Sequence, residues 1–181
     1  MNKELNNCMA CDLHLNRIKS ISDIGNIDAD IAFLAQYPSN AESKHGTPFS
    51  TVGWNKFFER LNDIGFNKDN AYFTYLIKCP IGDRETATYY KDLEINIHNC
   101  SNQHLVLGQM TNLKMIVALG NFSSIYLTNG YYNRIGDITS IGKYIIYHGN
   151  NPVRAFFDKT KENDFKRIKE VYQKYINPYH V

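Results

Sequence analysis

No stretch of 18 apolar residues occurs in this chain, which excludes a helix of the length a bilayer demands. The opening residues, Met1 to Cys8, hold no apolar signal core, so the chain reads as an intracellular, cytoplasmic protein with no membrane partner. Charge of either sign is not in excess. The net charge of +2 does not announce a nucleic-acid partner, although a local basic face would suffice for one. Repeats, low-complexity linkers and long charge blocks are missing. The 181 residues therefore read as one domain, long enough to bury a proper core. Cysteine is scarce, at four. Disulfides are rare in intracellular proteins, so the close pair Cys8 and Cys11 reads as part of a metal site.

What the chain does have is apolar patterning. Apolar residues make up 43% and charged residues 21%, the balance of a globular protein. Residues 31–36 form a continuous apolar run, as in a strand covered on both faces. Residues 71–77, 114–119 and 143–148 read as three further strands, rich in β-branched and aromatic residues. Between them, residues 54–64 carry Trp54, Phe57, Phe58, Leu61 and Ile64 at helical spacing, stopped by Gly65. Residues 86–110 read as mostly helical with an interruption near Cys100. Gly120-Asn121 opens a helix to Leu127, and 164–176 is an amphipathic helix. Residues 39–53, rich in polar residues, Gly and Pro, read as a loop.

Strands alternating with helices predict a three-layer α/β/α sandwich around a central, mainly parallel four-stranded sheet. Ligands in such folds sit at the carboxyl ends of the strands. Segments 36–39, 78–84, 120–122 and 148–154 then share one rim, and the first of them, Gln36-Tyr37-Pro38, is the expected floor of a site.

The ordered motifs are Cys8-x-x-Cys11, Ala35-Gln-Tyr-Pro-Ser39, Gly46-Thr-Pro-Phe49, Thr74-Tyr-Leu-Ile-Lys-Cys79, Cys100, Leu119-Gly120 and His148. Together they resemble the uracil-DNA glycosylase superfamily over residues 8–157, and most closely its iron–sulfur branch, family 4. The resemblance implies that Cys8, Cys11, Cys79 and Cys100 hold a 4Fe–4S cluster of structural role. Four thiolates suit such a cluster; they equally suit a tetrahedral Zn site, or stand as reduced thiols without metal.

The resemblance also implies catalytic positions, and several carry unusual residues. Gln36 stands where family 4 has Glu. Tyr37 stands where family 1 has a water-positioning Asp, and a tyrosine of pKa about 10 is a poor base at neutral pH. Phe49 matches the aromatic that stacks on the extruded base. Tyr75 replaces the Asn that reads uracil, and a phenol cannot reproduce an amide's paired donor and acceptor; the alternative is that Tyr75 fills the pocket as core. Either His148 or Asn151, the latter followed by Pro152, takes the place of the family's His-Pro motif. DNA is the implied partner of a monomer. Gly120 and Asn121 would offer helix N–H groups to a phosphate, Arg154 would enter the minor groove, and Lys44, Lys78 and Arg84 lie in or beside the rim loops. A basic run from Lys159 to Lys169 is a further face for DNA, or a solvated helix surface.

Four functions follow as expectations. The first is a glycosylase that flips a base and hydrolyses its N-glycosidic bond with non-standard base specificity. The second is a DNA- or base-binding protein on the same fold with hydrolysis lost. The others are a different transformation of a base, and a small-molecule α/β enzyme with structural Zn.

Overall fold

The structure is a computed structural model that describes residue 5 and residues 7–15, 17–81, 87–130, 134–152 and 163–179, with backbone alone for 87–93 and 163. Arg84, Arg154, Lys159 and Lys161 lie outside the described residues.

The chain order is β1 (Ile24–Gly25), β2 (Ile31–Ala35), α1 (Asn40–His45), α2 (Val52–Asp63), β3 (Tyr72–Tyr75), α3 (Ala87–His104), β4 (Met115–Leu119), α4 (Asn121–Leu127), β5 (Ile138–Ile141), β6 (Tyr144–Gly149) and α5 (Asn163–Tyr175). Short 3-10 turns occupy Asp12–Leu15 and Leu107–Gln109.

The sheet has six strands in the order β1-β3-β2-β4-β6-β5, not four. The four expected strands form its parallel centre, β3-β2-β4-β6. Two antiparallel edge strands complete it: β1 on β3 and β5 on β6. Neither edge strand has an apolar run. β1 is two residues long and β5 is half-buried to exposed, so only pairing with the finished sheet makes them strands.

Strands β2, β3 and β4 are buried along their whole length, because helices cover both faces. On one face, Phe33, Phe73, Val117 and Tyr147 pack against Trp54, Phe57 and Leu61 of α2 and Ile168, Val171 and Tyr172 of α5. On the other, Leu34, Ile116, Ala118 and Ile146 meet Leu107, Met110 and Leu113, with Tyr126 and Leu127 of α4 alongside. Alternate residues of each strand serve alternate faces, and each fully buried Leu, Ile or Phe contributes about 1.5–3 kcal/mol over exposure. No helix of the described residues is long and apolar enough to cross a membrane.

Two further elements depart from the sequence reading. The 39–53 segment contains α1, started by a reciprocal capping box in which the Ser39 hydroxyl accepts from the Glu42 N–H and the Glu42 carboxylate accepts from the Ser39 N–H. The α3 helix runs unbroken through Cys100 to His104. Helix α5 is fastened at both ends. The Tyr172 hydroxyl donates to Asp30 at 2.8 Å, and Asp164 accepts from the Tyr147 hydroxyl and, at 2.8 Å, from the Asn150 N–H. The second anchor holds the loop after β6 in place.

Candidate active site

The connection after β2 leaves on the α2 face and the connection after β4 on the α4 face. The crevice between their carboxyl ends is therefore a topological switch point. A cavity of about 180 Å³ lies there, walled by Ala35, Gln36, Tyr37, Ser39, Glu42, Thr51, Trp54, Leu119, Asn151 and Pro152. An engineered protein cavity of about 150 Å³ takes up benzene, so this one has room for one six-membered ring.

Gln36 sits at the cavity with its amide oxygen turned to the start of α4, where it accepts from the Asn121 N–H at 3.0 Å and the Phe122 N–H at 3.2 Å. The residue before that helix must be glycine. Gly120 has φ 96°, and a Cβ there would fall 2.3 Å from the Gln36 terminal amide. This corrects the reading of Gly120 and Asn121 as a phosphate site: the first N–H groups of α4 are already bonded, and the helix is only seven residues long.

Phe49 and Tyr75 are brought together, but not as two walls of an open slot. Their rings stack face to face at 4.2 Å and 7°. Tyr75 has no exposed surface and Phe49 is 3% exposed; neither belongs to the cavity wall. The side chain that replaces the uracil-reading Asn thus lies on the aromatic face that the resemblance assigns to the base. Its hydroxyl donates to Glu42 Oε1 at 2.7 Å. Burial first, and then the Glu42 charge, push the Tyr75 pKa far above that of an ordinary tyrosine. Glu42 itself is buried and fully engaged: it accepts from the Ser39 N–H and hydroxyl, both at 2.8 Å, and from the Ser50 N–H at 3.3 Å.

His148 and Asn151 separate cleanly. His148 lies on the Ile146 side of β6, has no exposed surface, and uses both ring nitrogens. Nδ1 bonds the Ser124 hydroxyl at 2.6 Å and Nε2 bonds the Thr139 hydroxyl. Burial lowers its pKa, so it is held neutral. It does not reach the cavity, whereas Asn151 and Pro152 line it. The Asn-Pro alternative is the one whose residues reach the site.

The four cysteines line one recess with Arg17, Lys78 and His104. Cys79 and Cys100 are buried; Cys8 and Cys11 are half-buried. The Arg17 guanidinium reaches Cys79 Sγ at 3.5 Å and the Lys78 N–H points to Cys100 Sγ at 3.3 Å. Burial is the main cause that pushes the Cys100 thiol up to about 12 and raises Cys11 and Cys79; neighbouring sulfurs add to each shift. Among the described residues, no three His, Cys, Asp or Glu side chains stand in metal-holding geometry. Tyr37 connects the two sites, lining the cavity and packing on the cluster of Ile77, Cys79, Ile81 and Cys100.

Lys78 is not a rim cation. It is 2% exposed, forms an ion pair with Asp23, and donates to the Thr74 hydroxyl at 2.6 Å. Lys44 is exposed on α1. On α5, Arg167 pairs with Glu170 at 3.2 Å on an open surface, as a solvated helix face would. Sequence reasoning passed over Glu42, Thr51 and Trp54 as cavity residues. The Ser39-x-x-Glu42 spacing, a capping-box signature, could have revealed α1 and hence Glu42. Nothing local marks Thr51.

Comparison with known proteins agrees with this architecture. The family model described as the uracil DNA glycosylase superfamily matches residues 22–174. The Type-4 uracil-DNA glycosylase of Archaeoglobus fulgidus is 24% identical over 185 residues, covering 93% of this chain and 90% of that protein. The Type-4 uracil-DNA glycosylase of Thermotoga maritima is 28% identical over 173 residues, covering 93% and 86%. That of Saccharolobus solfataricus is 25% identical, covering 92% and 82%. With matched sequence running from ahead of β1 into α5, and with the cavity placed where β2, β4 and β6 end, the chain belongs to the uracil-DNA glycosylase superfamily.

Proposed function

We propose that this protein is a DNA glycosylase that extrudes a base from DNA and hydrolyses its N-glycosidic bond, and that its target is not uracil. One observation carries the specificity: Tyr75 lies stacked on Phe49 and hydrogen-bonded to Glu42, closing the slot where uracil would stack and be read. The adjoining cavity, with room for one ring, is the base site. Asn151 supplies an amide donor for the negative charge that develops on the leaving base. Gln36 and Tyr37 border the same space. DNA as partner draws support from the Type-4 relatives, with Arg154 as the candidate groove contact.

A second reading, base or DNA binding without hydrolysis, is favoured by Glu42. It is the only carboxylate among the described cavity residues, and its two oxygens already accept from Ser39, Ser50 and Tyr75. It is therefore not placed to activate water.

The cysteines are proposed to hold a 4Fe–4S cluster. Four soft ligands line one recess, with N–H and guanidinium groups directed at sulfur, the surroundings that stabilise thiolates on a cluster. Cys8, Cys11, Cys79 and Cys100 would fasten the N-terminal segment to the end of β3 and to α3. Zn is the competing ion. Anaerobic purification should yield iron and inorganic sulfide in equal amounts, and a colourless protein with Zn alone would favour the competitor.

The test of the activity uses duplex and single-stranded oligonucleotides carrying uracil, hypoxanthine, xanthine or 5-substituted uracils, with alkaline cleavage at abasic sites. Product on a 5-substituted uracil but not on uracil is expected, and product on hypoxanthine or xanthine would overturn the one-ring site. No product on any substrate, together with DNA binding that persists in Gln36→Ala, would replace the first reading with the second.

A further inference from the structure

We infer that Arg17 is a positioning residue for the cluster that the cysteines are proposed to hold: its guanidinium braces the Cys79 sulfur and offsets the negative charge of the thiolates. This rests on the reading of Cys8, Cys11, Cys79 and Cys100 as the ligands of a 4Fe–4S cluster. Arg17 follows the Cys8–Cys11 pair and the short turn of Asp12–Leu15, and it is half-buried. One guanidinium nitrogen donates to Cys79 Sγ at 3.5 Å and another donates to the Cys8 carbonyl at 2.7 Å. A planar fork of donors makes both bonds at once. The side chain thereby ties the N-terminal ligand segment to the cysteine beyond β3.

Thiolates gathered in one recess repel one another, and burying their charge is unfavourable without a counter-charge and donors to the sulfurs. The recess wall holds three basic side chains, Arg17, Lys78 and His104. Lys78 spends its ammonium on Asp23 and the Thr74 hydroxyl. It offers the recess only its backbone N–H, 3.3 Å from Cys100 Sγ. Burial is the first of the causes that lower the His104 pKa, so that ring carries no charge at neutral pH. Arg17 is then the cation of the recess among the described residues. Its charge favours the thiolate form of Cys79 and Cys11, the form that binds metal. A charged donor on a ligand sulfur stabilises the more negative, reduced state most, and so raises the reduction potential.

The full-length wild type, Arg17→Met, Arg17→Lys and Lys19→Met are purified anaerobically. Iron and sulfide content, the rate of colour loss to an iron chelator, and the reduction potential by protein-film voltammetry are read for each, with a thermal melt. Lys19 is an exposed cation nearby in sequence but outside the recess wall, so its loss controls for positive charge in general. In Arg17→Met the balance of oxidation states should move tenfold toward the oxidised form, a fall of about 59 mV for a one-electron couple. Colour loss should quicken about tenfold, as for a lost partner of a metal ligand. Arg17→Lys should keep most of the potential, because the charge stays. It should recover little of the retention, because one ammonium on a flexible stem does not reproduce the fork. Lys19→Met should match the wild type in both.

A wild-type potential in Arg17→Met, or an equal fall in Lys19→Met, would overturn the inference. A folded Arg17→Met that takes up no cluster supports it. If that variant does not fold, Arg17→Lys decides, and wild-type resistance to the chelator there overturns the inference. A wild type without iron and sulfide would sink the cluster reading and this inference with it. A loaded wild type whose potential is indifferent to Arg17 would sink this inference alone.

Discussion

Removing the Tyr75 hydroxyl and removing the whole Tyr75 side chain should have separable effects. In Tyr75→Phe the stack on Phe49 survives and only the 2.7 Å bond to Glu42 Oε1 is lost. A buried hydrogen bond to a charged acceptor is worth about 1.5–3 kcal/mol. A chain of this length loses about 2–4 °C of melting temperature per kcal/mol, which gives a fall of about 3–12 °C. The slot stays closed, so no uracil activity should appear. In Tyr75→Ala a fully buried ring goes as well, a loss of about 3–5 kcal/mol, within the stability of an ordinary domain. Phe49 then has an open face, and uracil-containing DNA should be bound more tightly than by the wild type. Thermal melts and a uracil-oligonucleotide binding and excision assay on the three proteins measure both effects. Wild-type melting of Tyr75→Phe would refute the bond to Glu42. Uracil release by the wild type as fast as by Tyr75→Ala would refute the closed slot.

Three further outcomes follow from other parts of the fold. His148 is held neutral below its ordinary pKa of about 6.5. The unfolded chain takes up that proton first, so its contribution to stability is full above about pH 6.5 and is lost as pH falls below it. Urea unfolding at pH 7.5 and pH 5 should show a smaller acid loss in His148→Gln than in the wild type. Gly120→Ala should cost about 1–3 kcal/mol for a backbone region open only to glycine, plus the collision with Gln36. The collision part should disappear in the Gln36→Ala background, a coupling that a double-mutant cycle on chemical denaturation measures. Lys78→Met leaves buried Asp23 with the Tyr72 hydroxyl but without its cation. It should destabilise by about 3–5 kcal/mol, and Asp23→Leu added to it should recover most of the loss in a thermal melt.

The sequence by itself determined the parallel centre of the sheet, the helices of residues 54–64 and 164–176, and the rim on which Gln36, Tyr37 and Asn151 stand. These are properties of local order: apolar runs declare buried strands, helical spacing declares a covered face, and strands that alternate with helices put their carboxyl ends on one rim. The edge strands were not legible, because Ile24–Gly25 and Ile138–Ile141 owe their form to a sheet edge and not to their own composition. Nor was the role of His148. A period of two residues puts it on the α4 face, and the partners that occupy its nitrogens, Ser124 and Thr139, come from elsewhere in the chain. The same holds for Lys78, whose burial is set by Asp23, 55 residues away. Tertiary structure alone decided the state of the base slot. From the sequence, Tyr75 was either an altered reading residue or core that fills the pocket. Only the packing of β3 under the loop that carries Phe49, with Glu42 of α1 accepting from the phenol, decides that it fills the slot.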